Sequence, residues 1–99
     1  MIARYWSART SKQNVLNYAR HLAEVVAPDL RKLAGFRKFN LLTRNVSGEV
    51  EILVITYWDS LDCIQAFAGA DIETAVVADE AAALLTDFDR RVRHYDVLY

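Results

Sequence analysis

The order of apolar and polar positions predicts alternating strands and helices. Ile2 to Arg9 alternates bulky with small or polar residues and is rich in strand formers, which predicts a first strand. Thr10-Ser11-Lys12-Gln13 then offers a capping box, with Thr10 as N-cap and Gln13 three residues on. Val15, Ala19, Leu22 and Val26 recur at helical spacing, Leu16 and Ala23 widen the stripe, and Pro28 ends or bends the helix. Residues 29–34 read as a loop or a further turn, closed by Gly35. Phe36 to Arg44 and Glu49 to Trp58 predict two more strands, joined by the turn Asn45-Val46-Ser47-Gly48 into an antiparallel hairpin. Asp59-Ser60 caps a helix whose Leu61, Ile64 and Phe67 share a face, and Gly69 closes it. Asp71 caps a short helical stretch, Glu80 to Leu85 is helical by propensity, and Arg91 to Leu98 is a fourth strand.

The resulting order, β-α-β-β-α-β, is the ferredoxin-like α+β arrangement. The third strand adds a constraint. Ile52, Val54, Thr56 and Trp58 occupy one face, and Leu53, Ile55 and Tyr57 the other. Two helices cover only one side of such a sheet. Leaving the second set in water forfeits roughly 1.5–3 kcal/mol per side chain. A homodimer stacked sheet to sheet through the open face is the expected remedy.

Composition narrows the classes further. The 99 residues are 54% hydrophobic and 25% charged, with three glycines and one proline, as in a single folded domain spanning 1–99. A net charge of −1 argues against a nucleic-acid binder. No apolar run is long enough for a membrane span, and a cytoplasmic protein is expected. The charge is unevenly placed. Residues 1–50 hold nine Lys/Arg and three Asp/Glu, against three and ten in residues 51–99. This split either draws the halves together or is interleaved by the fold.

Candidate chemistry is sparse. His21 and His94 are the only histidines, and Cys63 is the only cysteine, so neither a disulfide nor a spaced metal motif is present. The three glycines stand apart and form no phosphate loop. Cys63 reads as a packed thiol, and Asp71, Glu73, Asp79 and Glu80 as a solvated face. Aromatic residues are the better guide. Trp58 ends the third strand just before the helix carrying Phe67, so the two can line a cleft between sheet and helices, or simply fill the core. Trp6, with Arg4 on the same strand face, can join them, as can Arg44 and His94. His94 titrates near neutral pH in its ordinary state.

Met1-Ile2-Ala3-Arg4-Tyr5-Trp6, Gly35-Phe36, Tyr57-Trp58-Asp59-Ser60, the run from Ala66 to Glu73, and Val92-Arg93-His94-Tyr95-Asp96-Val97 together resemble the antibiotic biosynthesis monooxygenase domain family. The resemblance spans essentially the whole chain. It implies a dimeric α+β barrel that oxidises a small aromatic or quinone-like compound with O₂, using no cofactor and no metal. In that chemistry the deprotonated substrate supplies the electrons. The protein supplies an apolar pocket, hydrogen bonds and exclusion of water. Trp58 matches the family's pocket tryptophan. The catalytic assignment that follows is Trp58 and His94, with Trp6, Arg44, Phe67 and Arg4 as pocket residues. Val54 and Ile64 stand where oxygenase members can carry Asn and Tyr. The haem-degrading branch needs a His near the position of Val77 and an Asn on the first strand, and neither is present. These departures point to the alternative, a non-catalytic dimeric domain of the same family that binds a small molecule or serves in stress sensing. Whether residues 71–85 form a fixed wall or a mobile lid is left open by the sequence.

Overall fold

A computed structural model describes residues 1–99. The chain opens with β1 (Ile2–Thr10), whose even-numbered residues face the core; Arg4, Ala8 and Thr10 are buried there. The expected capping box does not form. Thr10 is still in the strand, and its hydroxyl donates to Leu84 O at 2.6 Å. Ser11 Oγ instead accepts from Asn14 N at 3.1 Å, and α1 (Val15–His21) begins four residues later than expected.

Pro28 bends the helical run without ending it. Leu22–Val26 form a wide π turn in which Ala27 N–H reaches back to Leu22 O, and α2 (Ala27–Arg31) follows with Pro28 in its first turn. A regular helix here would set the proline ring against the Glu24 carbonyl and leave that oxygen without its donor. The buried stripe is Tyr18, Leu22, Ala27 and Leu30, whereas Leu16 and Ala23 face solvent.

β2 (Phe36–Val46) and β3 (Glu49–Trp58) pair antiparallel with Val46 opposite Glu49. The turn is therefore two residues, Ser47-Gly48, rather than four. Both have positive φ (49° and 84°), as a type I′ hairpin requires. Along β3 every second residue from Val50 to Trp58 is buried, and the intervening positions are half-covered. The two faces read from the sequence are thus the observed ones. Ser60 precedes α3 (Leu61–Ala68), which buries Ile64 but leaves Leu61 exposed.

The C-terminal third differs most from expectation. Residues 71–78 are not helical; Asp71 Oδ1 accepts from Glu73 N in a local turn. A single helical turn, α4 (Asp79–Ala82), leads into an unanticipated strand, β4 (Leu85–Phe88). The last strand, β5, covers only Arg93–Asp96. β4 pairs with Ala8–Thr10 and β5 with Ile2–Tyr5, so together they fill one edge position beside β1. The sheet order β2-β3-β1-β4, with β5 continuing the β4 edge, is that of a ferredoxin-like fold. Between them Val92 turns inward and is buried.

The helices cover the even-numbered face of β1. Tyr5, Leu53, Ile55 and Tyr57 lie on the other face, where no element of the chain packs over them. No helix is long and apolar enough to cross a membrane.

Candidate functional site

A half-open cavity of about 70 Å³ lies between the sheet and the helices. Its floor is the core face of β1 and β3, contributed by Arg4, Trp6, Val54 and Thr56. Register explains the grouping. Arg4 pairs with Thr56 and Trp6 with Val54, and side chains opposite each other share a face. Tyr18, His21, Leu22 and Val26 form one wall; Phe67, Val76, Val77, Ala81 and Val92 form the other. Twelve of the fifteen lining residues are apolar, so polar recognition here rests on very few groups.

Trp6 is fixed from both ends. Its indole N–H donates to Asp89 O at 2.8 Å, and its ring stacks on Tyr18 with centroids 6.2 Å apart. Burial raises the Tyr18 phenol well above its ordinary range, so it stays protonated. Phe67 stands over Arg4, with the guanidinium carbon 5.6 Å from the ring centre.

Arg4 is the most unusual group in the molecule. It is only 4% exposed yet forms no ion pair. Its Nη2 donates to Thr74 O at 2.8 Å, and its Nη1 to Ile72 O and to His94 Nε2, the latter at 3.0 Å. All three acceptors are neutral. Burial lowers its pKa to about 10, which still leaves it charged at neutral pH. Because a guanidinium only donates, His94 Nε2 must be the unprotonated ring nitrogen.

These contacts also settle the state of the segment after α3. Arg4 holds the carbonyls of Ile72 and Thr74, while Ala75 N–H donates to Arg90 O and Val92 N–H to Glu73 O. Arg91 pairs with Asp71 and Glu73, so those carboxylates are solvated but engaged. Residues 71–75 are thus tied down by hydrogen bonds, and Val76–Ala78, which line the cavity, follow directly from them.

Of the residues singled out from the sequence, Arg4, Trp6 and Phe67 come together at the cavity. Trp58 lies beside the cavity, further along the same face of β3, and packs in a separate core cluster with Leu30 and Ile64. It is fully buried, its N–H donates to Thr56 Oγ1 at 2.9 Å, and its ring packs against Phe36 and Phe67. His94 touches Arg4 from the edge strand and is not among the lining residues. Arg44 is a correction. It projects from the opposite sheet face, exposed and paired with Glu51 at 2.7 Å, because its strand position faces the odd-numbered side of β3. Cys63 is half-buried, with Sγ 3.3 Å from Ser60 Oγ.

Sequence reasoning missed Tyr18 and His21. The signal was present in the helical spacing of residues 18, 22, 26 and 30, with His21 at the margin of that stripe. His21 Nε2 is buried without a hydrogen-bond partner.

No family model and no curated protein matches the chain. Solved structures do match its fold. The heme-degrader MhuD from Mycobacterium tuberculosis, with two hemes bound in its active site, is 20% identical, with 100% of this chain and 97% of that chain covered at a TM-score of 0.69. A variant of MhuD with two manganese protoporphyrin IX molecules per active site matches at 22% identity, covering 100% and 96%, with a TM-score of 0.71. A candidate antibiotic biosynthesis monooxygenase from Deinococcus radiodurans is 15% identical, covering 100% and 94%, with a TM-score of 0.68. The chain therefore has the ferredoxin-like α+β fold that these proteins share.

Proposed function

We propose that the chain belongs to the antibiotic biosynthesis monooxygenase family and is a cofactor-independent oxygenase of a small aromatic compound. The supporting observation is the cavity itself, an apolar chamber with Trp6 on its floor, Phe67 on its wall and one buried guanidinium reaching it. Aromatic rings would stack there out of water, and Arg4 would stabilise negative charge developing on a substrate oxygen. For an anthrone-type substrate, loss of a ring proton gives a carbanion that passes electrons to O₂. One oxygen atom then becomes the new carbonyl and the other leaves as water.

In this reading Trp58 and His94 are positioning residues. Trp58 holds the Thr56 hydroxyl and packs against Phe67 from the side, and His94 holds one edge of the Arg4 guanidinium. The protein acts as a homodimer joined through the open sheet face.

Oxygen uptake by the EDTA-treated protein with a panel of anthrones and naphthohydroquinones tests the oxygenase reading. Val76→Trp is the control, because Val76 lines the cavity, is 49% exposed and can carry a blocking ring without disturbing the core. Uptake in the native protein that falls at least tenfold in the variant is the expected result. Uptake unchanged by the block would remove the reaction from this cavity. Val54 on the cavity floor, where the resemblance places an Asn in oxygenase members, favours the second reading, a binding domain without turnover. That reading predicts saturable binding of the same compounds with no oxygen consumed. An unchanged haem Soret band on titration would set the haem-degrading alternative aside.

A further inference from the structure

Two polar groups of the cavity lack a counterpart in the chain. Arg4 is a buried cation whose acceptors are two carbonyls and a neutral imidazole, and an uncompensated buried charge is costly unless something pairs with it. The carboxylates nearby do not serve; Asp71 and Glu73 are turned outward onto Arg91. A guanidinium offers five N–H donors, and only three hydrogen bonds to protein acceptors engage Arg4. The second group is His21, whose Nε2 is buried and unpartnered although the ring lines the same cavity from the helical wall. Buried polar atoms are nearly always paired, so an orphan on a residue that lines a cavity marks a place where a ligand atom can supply the missing partner once the ring turns to it.

We propose that the ligand of this cavity is an aromatic hydroxycarboxylate. Its carboxylate pairs with the free side of the Arg4 guanidinium, its ring lies between Trp6 and Phe67, and its hydroxyl meets His21 Nε2. The inference rests on reading the cavity as the binding site and adds to it the charge and polarity of the occupant. A carboxylate suits Arg4 better than a phenol does. It is ionised at neutral pH without assistance, whereas a free phenol ionises only near pH 10. Its two oxygens also match the guanidinium fork.

Titration calorimetry at pH 7.5 with 6-hydroxy-2-naphthoate, its carboxamide, and 2-naphthoate tests the assignment. The native protein should bind the hydroxy acid at least about tenfold more tightly than the amide, and a few-fold more tightly than 2-naphthoate. His21→Phe should abolish the preference over 2-naphthoate and keep the preference over the amide. Arg4→Gln should erase the preference over the amide; if that variant does not fold, the comparison of acid with amide in the native protein carries the test alone. An amide that binds the native protein as tightly as the acid overturns the proposal and leaves the oxygenase reading standing. Selective binding of the acid without oxygen uptake does the reverse. Failure of all three compounds to bind overturns it too.

Discussion

Arg4 and His94 share one proton arrangement, and that arrangement makes stability depend on pH. Burial first, and the Arg4 charge second, hold the His94 imidazole below its ordinary value of 6.5, with Glu73 opposing them. The folded protein therefore binds a proton at His94 less readily than the unfolded chain does. The stabilisation is complete above about pH 6.5 and is lost as pH falls through that value toward the lower folded one. Thermal unfolding should show a flat midpoint from pH 8 to 7 and a decline from 6.5 downward, and His94→Gln should flatten that decline. Parallel declines in both proteins would place the sensitivity elsewhere. At this scale the sequence reveals faces better than depths. Alternation along β1 and β3 puts Arg4, Trp6 and Trp58 on the same side, and there they are. It does not say that Trp58 packs in the core against Phe67 rather than against a ligand, because depth depends on which helix residue lands over each position. Arg44 was readable. From Lys38 to Val46, every even-numbered residue of β2 meets an odd-numbered residue of β3, which is the side away from Trp58.

Elements dominated by period-two alternation and turn chemistry follow the sequence closely, and those fixed by tertiary pairing do not. The β2–β3 hairpin is the first kind. The last strand is the second, since Asp89 to Val92 leave the ladder to bond Trp6 and to bury Val92, which shortens the expected Arg91–Leu98 strand to Arg93–Asp96, while β4 forms ahead of it where no strand is expected. Pro28 signals an irregularity, but only packing of Leu22 and Leu30 on both sides of it decides that the helix widens and continues. Gly35 shows how tightly such elements are joined. It leads into β2 with φ of 84°, and a Cβ there would sit 2.7 Å from Cys63 Cβ on α3. Its carbonyl also accepts from Asp59 N–H at 2.8 Å, tying the start of β2 to the end of β3. Gly35→Ala combines a disfavoured backbone conformation with overpacking, so it should cost at least about 2 kcal/mol in urea unfolding. Adding Cys63→Ala should recover only part of that loss, because the backbone conformation and the Cβ contact both remain. Full recovery would show that the thiol alone makes the site tight.

The whole molecule has two faces, set apart by the sheet. One carries the cavity between the sheet and the helices. The other is the open sheet, where Tyr5, Leu53, Ile55 and Tyr57 are only half-covered and Leu42 and Tyr95 are about half exposed. Arg93 and Lys38 lie over the rings of Tyr5 and Tyr57, at 5.2 and 5.0 Å, which shields part of that surface without removing its apolar character. The unequal charge of the two halves is partly neutralised within the chain, since Arg37–Asp59 and Arg44–Glu51 bridge them, so charge alone gives little reason to dimerise. Burial of the open face does. A sheet-to-sheet pair of ordinary size buries roughly 1,200–2,000 Å² in total, which suits a face of this breadth. Light scattering after gel filtration should therefore give twice the chain mass for the native protein, and Ile55→Lys, which sets a charge at the centre of the patch, should give a monomer. Because the cavity opens on the other side of the sheet, that monomer should bind 6-hydroxy-2-naphthoate within about threefold of the native affinity, a difference of under 1 kcal/mol. A native protein that runs as a monomer would remove the proposed dimer. A variant that loses binding together with its partner would show instead that the second copy holds the helical wall in place against the sheet.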